Sequence, residues 1–256
     1  MIAGILVLVL TKDRKHIFSF LAQNWKISLV VGLLQTSIMY GLYFNGVDLL
    51  PAGIAAIIVG AGPLITAIIT HFTILNDRLS KQKVLSLLIA LTGVILISIS
   101  RNSNSGSQDH EILGIILLLF SSMTNAFSQV IVKKRPNNPL LLNASQLFIG
   151  GLILVVSSFI FEGVPTLVLP MEFYIALLWL SVVSAVSFSI WYTLLQVPEI
   201  KVSEINIFKF IIPVSGAILS WVIFPEESPQ LMTIIGMVII ALSVILYYGN
   251  KTQRVS

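Results

Sequence analysis

The chain has no cysteine among its 256 residues, which excludes disulfides, thiolate metal sites and cysteine nucleophiles. Charge is scarce as well. Only 10% of residues are charged against 56% apolar, and mean hydropathy is +0.97. A soluble domain needs more charge than this to cover its surface, so lipid must solvate this chain. Polar stretches are short throughout, which leaves no room for a separate soluble domain. Histidine is rare and dispersed: His16, His71 and His110 fall on separate segments, so neither a metal site nor a cofactor is expected. GAGPLI lacks the third glycine of a dinucleotide loop and sits inside an apolar run. Carboxylates are almost missing from the apolar runs, where Glu204 alone occurs. An intramembrane enzyme needs a nucleophile or an acid/base cluster at the midplane, and this composition argues against one. The net charge of +4 is scattered over short turns, so it reads as a topology signal and not as a nucleic-acid surface.

What the chain does have is apolar runs of spanning length, at 28–47, 52–75, 84–100, 112–132, 140–161, 173–195, 203–224 and 231–248. The expected fold is all-α, a polytopic membrane helical bundle with eight full spans. A shorter run, Met1 to Thr11, would rise about 16 Å as a helix against a hydrocarbon core of about 30 Å. It reads as the second half of a spanning helix whose beginning is missing. A signal peptide fits poorly, because no basic n-region follows Met1 and charges occupy positions 12–15 where a cleavage site would fall.

Alternating the helix directions puts 13 of the 15 basic residues on one side, with Arg101 on the other and Lys209 inside a helix. By the positive-inside rule that side is cytoplasmic, and so is the C-terminus; the expected location is the plasma (inner) membrane. The second feature is internal similarity. Residues 43–97 lie over 193–247 without a gap, so that Pro63 meets Pro213, Ala67 meets Ala217, Ile68 meets Ile218, Ile89 meets Ile239, and Val94–Leu96 meets Val244–Leu246. The acidic turn after each proline helix matches too, Asp77 to Glu227. The first such turn falls on the cytoplasmic side and the second outside, which predicts inverted repeats. The domain reading is a first repeat over 1–100, an external linker over 101–111, a second repeat over 112–250 and a cytoplasmic tail over 251–256.

The strings LLPAGIAAIIVGAGPLITAIITHFTILNDRLSKQKVLSLLIALTGVILI and VSEINIFKFIIPVSGAILSWVIFPEESPQLMTIIGMVIIALSVILY resemble the two copies of an EamA-type transporter of the drug/metabolite transporter superfamily. The resemblance implies a ten-helix bundle of two inverted five-helix repeats, both termini cytoplasmic, with a substrate cavity near the midplane. Against that pattern the first helix and about half of the second are absent here.

Several residues are candidates to carry transport. A proline inside a helix leaves the carbonyl four residues back without its donor, Val59 for Pro63 and Lys209 for Pro213, so an unpaired acceptor is expected at both. With Gly60 and Gly62, these prolines are the candidate hinges. Lys209 is a charge within an apolar span and is the candidate anchor for a carboxylate or phosphate of a substrate. Snorkelling to the interface is the bland alternative. Glu204 lies five residues before Lys209, poorly placed to pair within one helix, whereas Asn206 shares its face. Polar and aromatic stripes are candidates to line a cavity: Tyr40 and Tyr43, then Ser122, Asn125 and Gln129, then Ser184, Ser187 and Trp191. Helix-to-helix packing accounts for such residues equally well. Together these point to a secondary carrier moving a small metabolite by alternating access. The scarcity of intramembrane carboxylates favours an amino acid, an organic anion or a similar neutral or zwitterionic solute over a lipophilic cation. A non-transporting membrane interaction protein or an inactive truncated transporter is the alternative. The expected partners are a small-molecule substrate and membrane lipid, without nucleic acid, and a homodimer is compatible with the sequence.

Overall fold

A computed structural model describes every residue except 51, 101–110, 136, 164–168, 224–229 and 249–256. Residues 101–110 of the expected linker 101–111, Arg101 among them, Glu227 of the second acidic turn and the tail 251–256 therefore lie outside the described residues, while Glu111 already belongs to a helix. The described residues form helices α1 (Ile2–Leu10), α2 (Ile17–Gly32), α3 (Met39–Asp48), α4 (Ala52–Gly60), α5 (Gly62–Thr73), α6 (Lys81–Ser100), α7 (Glu111–Lys134), α8 (Pro139–Phe161), α9 (Met171–Gln196), α10 (Val202–Asn206), α11 (Ile211–Ile223) and α12 (Leu231–Tyr248). Tight 3-10 turns at Lys12–His16 and Ile207–Phe210 precede α2 and α11, and a π-helical segment, Leu33–Ile38, joins α2 to α3. No strand occurs among the described residues.

Eight helical stretches among them are long and apolar enough to cross a membrane, as expected. The first differs in extent. It runs over Lys12–Asp48, 37 residues, where hydropathy alone marks 28–47. Ile17, Phe20 and Ile27 turn inward from this added stretch, and that packing extends the helix beyond its apolar part. A kink at Asn24 (φ −121°, ψ 17°) separates Ile17–Gln23 from the spanning portion.

Helix ends follow local chemistry. Glu111 opens α7 and Lys133 and Lys134 close it, each complementing the local end of the helix dipole. Asn138 caps α8, its Oδ1 accepting the Leu140 and Leu141 N–H groups at 3.1 and 3.2 Å, with Pro139 in the first turn. Gly163, at φ 83°, follows the last turn of α8 in the left-handed conformation that glycine adopts without penalty.

The chain forms two compact units that do not follow the sequence halves. One comprises Met1–Gly41 with Phe127–Ile200, the other Leu42–Ala126 with Lys201–Ser256. In the first unit α1 lies so close to α8 that a Cβ on Gly4 would stand 2.7 Å from the Ala144 carbonyl and the Phe148 nitrogen. Ala3, Val7, Ala144, Leu147 and Ala185 fill this seam. Gly32 and Gly150 bring α2 equally close to α8. Small residues of this kind let helix backbones approach where lipid offers no hydrophobic drive between helices. Beside them runs a polar chain: the Thr36 hydroxyl donates to Gln146 Oε1 (2.7 Å), Gln146 Nε2 to Asn143 Oδ1 (3.1 Å), and Asn143 Nδ2 to the Ser189 hydroxyl (3.0 Å).

In the second unit α6 and α12 form the central pair. Gly93 packs on Gly236 and Ile240, while Gly236 packs on Gly93 and Ile97. At one end of the pair Gln82 Nε2 donates to the Leu246 carbonyl at 2.6 Å. Since residue 82 meets 246 while 93 meets 236, the two helices run antiparallel. Ala67, Leu87, Ala90, Val94, Ile207, Phe210 and Tyr247 bury around them. Leu50, Ala55 and Leu118 form a separate core with Tyr43 and Ile58 packed against it.

Candidate functional site

Both prolines matched in the sequence stand at breaks between helical segments. On the first side α4 ends at Gly60, Ala61 forms the turn (φ −77°, ψ −9°), and Pro63 lies in the first turn of α5. A missing N–H costs nothing there, because the first turn has no intrahelical acceptor for it. On the second side α10 tightens into the 3-10 turn Ile207–Phe210 before Pro213 enters the first turn of α11. Here one expectation is corrected. The Lys209 carbonyl is not an orphan, because the Ile211 N–H donates to it at the end of the 3-10 turn. That bond spans only two residues, as in a γ-turn, and the same N–H makes the 3-10 bond to the Phe208 carbonyl. Helix starts also correspond between the two segments at the spacing of the two prolines, with Ala52 against Val202 and Lys81 against Leu231.

A polar anchor holds the start of α10. Asp77, in the turn after α5, is buried; its carboxylate accepts the Ser203 N–H at 2.9 Å and a short bond from the Ser203 hydroxyl. A carboxylate at a helix N-terminus satisfies donors that the helix cannot satisfy itself. The Tyr247 hydroxyl, from α12, donates to Ser203 Oγ at 3.0 Å. One residue on, Glu204 pairs with Lys83 of α6 at 3.2 Å, with side chains only 7% and 14% exposed. Tyr248 donates to the Glu204 carbonyl at 2.9 Å, and the Lys83 ammonium lies 4.9 Å from the centre of the Tyr247 ring. His71 serves the same turn, its Nδ1 accepting the Leu79 N–H at 3.0 Å.

The candidate residues divide between the units. Tyr40, Gln129, Ser187 and Trp191 belong to the first, and Tyr43, Asn125, Asn206 and Lys209 to the second, with Gly60, Gly62, Pro63 and Pro213. Lys209 is half-buried on the 3-10 turn, three residues after the buried Asn206, whose Nδ2 donates to the Val202 carbonyl at 2.9 Å. Asn125 and Gln129 stand one turn apart on α7, the first half-buried and the second fully buried. Tyr40, Tyr43 and Trp191 are half-buried, and Ser187 is exposed on α9. Gly62 opens α5 beside Ser122 of α7, whose Oγ would be 3.8 Å from a Cβ there.

Residues 1–99 and 112–249 match the EamA-like transporter family. The chain belongs to that family. This EamA-like transporter is 29% identical over 259 residues to the uncharacterized transporter YvbV of Bacillus subtilis, covering 99% of this chain and 82% of that one. It is 25% identical to the uncharacterized transporter YoaV of the same organism, over 87% of this chain and 75% of the relative. Protein PecM of Dickeya dadantii is 26% identical over 148 residues, about half of each chain. A solved crystal structure with 17% sequence identity superposes with a TM-score of 0.77 over 96% of this chain and 83% of the other, which establishes the shared fold. The protein is thus a multi-pass membrane protein of a transporter family.

Sequence reasoning missed the anchor around α10. Asp77 stood out only as the partner of Glu227 in the sequence match, and nothing in the spacing of Lys83, Ser203, Glu204 and Tyr247 announces their meeting. A buried carboxylate in a short turn between apolar spans was the available signal, since such a group needs donors brought from elsewhere.

Proposed function

We propose that the chain is a secondary carrier of the plasma (inner) membrane, with its C-terminus in the cytoplasm, moving a small metabolite by alternating access. The reading rests on one observation above all: two broken helices, at Pro63 and at Pro213, lead into α6 and α12, which run antiparallel. Matched interruptions in oppositely directed segments are the construction that carriers use to place helix ends and loosened backbone at the membrane midplane. In this reading the sequence halves are inverted repeats, and the turns at Gly60–Pro63 and at 207–213 flex as the cavity opens to each side in turn.

Lys209 gives the site its chemistry. In this reading an ammonium within a span is a functional group, and a substrate carboxylate or phosphate would bond to it. Asn206, one turn away, and the amide of Asn125 would orient the remainder of an amino acid or organic anion. With Glu204 engaged by Lys83, the anchor of α10 already uses the carboxylate that a lipophilic cation would need.

The test is thermal stabilisation of the detergent-solubilised protein by amino acids, organic acids, sugar phosphates and cationic dyes, followed by counterflow of any hit in proteoliposomes. An anionic or zwitterionic solute is expected to stabilise the protein. Lys209→Gln should weaken its binding about tenfold to hundredfold, the worth of a hydrogen bond to a charged group. Stabilisation by cationic dyes alone, or unchanged affinity in Lys209→Gln for every hit, overturns the assignment.

A further inference from the structure

The Lys12–His16 turn and the first part of α2, up to the kink at Asn24 and just past it, gather exposed cations and bare rings. Lys12, Arg14, Lys15, His16 and Lys26 are all exposed there, and the neighbouring turn after α7 adds exposed Lys134 and Arg135. The two turns are tied together, because Asn138 Nδ2 donates to the Asp13 carboxylate at 2.7 Å. That contact occupies the one acid of the segment; Glu199, in the turn after α9, is the other exposed carboxylate on the loops of this end of the unit. Set among these cations are two large exposed rings, Phe18 at 83% and Trp25 at 54% exposure, with the Lys26 ammonium 5.7 Å from the Trp25 ring. The kink at Asn24 divides the stretch from the spanning helix, so Ile17–Gln23 need not share its direction.

We propose that Lys12–Lys26 is an interfacial anchor that binds the anionic headgroups of membrane phospholipid. A phenyl ring 83% exposed is unfavourable in water but at home at the boundary between headgroups and acyl chains, where tryptophan also concentrates. The surrounding lysines and arginines match a negative lipid surface in sign, and their attraction to it falls off within a Debye length. An acidic protein would satisfy the charges but leave Phe18 without a reason to be bare, since the segment leads directly into a membrane span. The anchor would fix the depth of the first span and hold the α1–α2 and α7–α8 turns at one leaflet.

The absence of native cysteine permits a clean test. Ser19→Cys, exposed beside Phe18, carries a polarity-sensitive fluorophore, and the full chain is reconstituted in vesicles of phosphatidylcholine with or without phosphatidylglycerol. Low access to acrylamide is expected, falling further with phosphatidylglycerol, and high salt should abolish only that second decrement. Adding Phe18→Ser should raise access in both lipids. A label equally open to acrylamide in both compositions and indifferent to Phe18→Ser overturns the proposal, and it is also the result an acidic protein partner predicts. Because replacing the basic residues risks disturbing insertion, the lipid comparison is made with all of them in place; Lys12→Gln with Lys15→Gln then serves as a second check and should reduce the phosphatidylglycerol effect.

Discussion

Residues 52–98 and 202–248 are built to the same scheme and fastened differently. Their helices start in step, Ala67 and Ala217 are both fully buried, and Gly93 and Gly236 meet each other in a reciprocal crossing. At the start of the second segment, however, Ser203 and Glu204 are held by Asp77, Lys83 and Tyr247. The residues that match them at the spacing of the prolines are Gly53 and Ile54, with Ile97 in place of Tyr247 and Thr233 in place of Lys83. None of these can form an ion pair. The first segment is secured instead by apolar packing of Leu50, Ala55 and Leu118. The helix scheme thus depends on apolar pattern and proline placement that both segments share, while among the described residues the Lys83–Glu204 ion pair and the Tyr247–Ser203 bond belong to the second alone. For the carrier proposed above, opening on the two sides of the membrane would then cost unequal free energy.

The largest effect should come from the anchor. Lys83→Met leaves the Glu204 carboxylate buried without its cation and is expected to cost about 3–5 kcal/mol of stability. Lys83→Met with Glu204→Leu should recover most of that loss, and thermal unfolding in detergent reads both. A single variant as stable as the native chain would mean that the two segments are fastened alike after all. Next come Gly93→Ala and Gly236→Ala, where a new Cβ would sit 2.7 Å from the facing carbonyl. Each should cost about 1–3 kcal/mol by overpacking, and the two should cost the same. Unequal losses would break the symmetry of the crossing. Ser203→Ala removes the hydroxyl bonds to Asp77 and Tyr247 but keeps the N–H bond, for a loss of about 1 kcal/mol. The smallest change is Gly216→Ala in α11, where a Cβ meets nothing within 4 Å. It should add at most about 1 kcal/mol through helix propensity, whereas Gly60→Ala, whose Cβ would stand 2.5 Å from Val94 Cγ1, should lower the melting temperature.

Much of the fold is legible in the chain because lipid imposes a simple rule: every backbone group must bond internally, so each apolar run of sufficient length becomes a helix. The runs from 52–75 to 231–248 reappear as helices within a few residues of their expected ends. The first helix escaped that rule because Ile17–Lys26 is held by packing and hydropathy does not mark it. Pro63 and Pro213 were readable as interruptions, since the loss of an N–H is a local property. That the second interruption is a 3-10 turn, and that the Lys209 carbonyl is satisfied within it, depends on how the 207–210 stretch packs among α5, α6 and α12. Of the candidate binding residues, the sequence could say that Lys209 and Asn206 share a face; it could not say how deeply Ser187 or Gln129 would be covered, because burial is a property of neighbouring helices.

By itself the sequence determined that this protein lives in a membrane, how many times its described helices can cross it, and where two of them break. It did so because those outcomes follow from length, apolarity and the chemistry of proline, each acting over a few adjacent residues. Only the tertiary structure decided that the compact units mix the two sequence halves, that α6 and α12 cross antiparallel on paired glycines, and that Asp77 meets Ser203 while Lys83 meets Glu204. Those contacts join residues more than a hundred positions apart, and their partners are selected by the fit of side chains between helices, which no local pattern encodes.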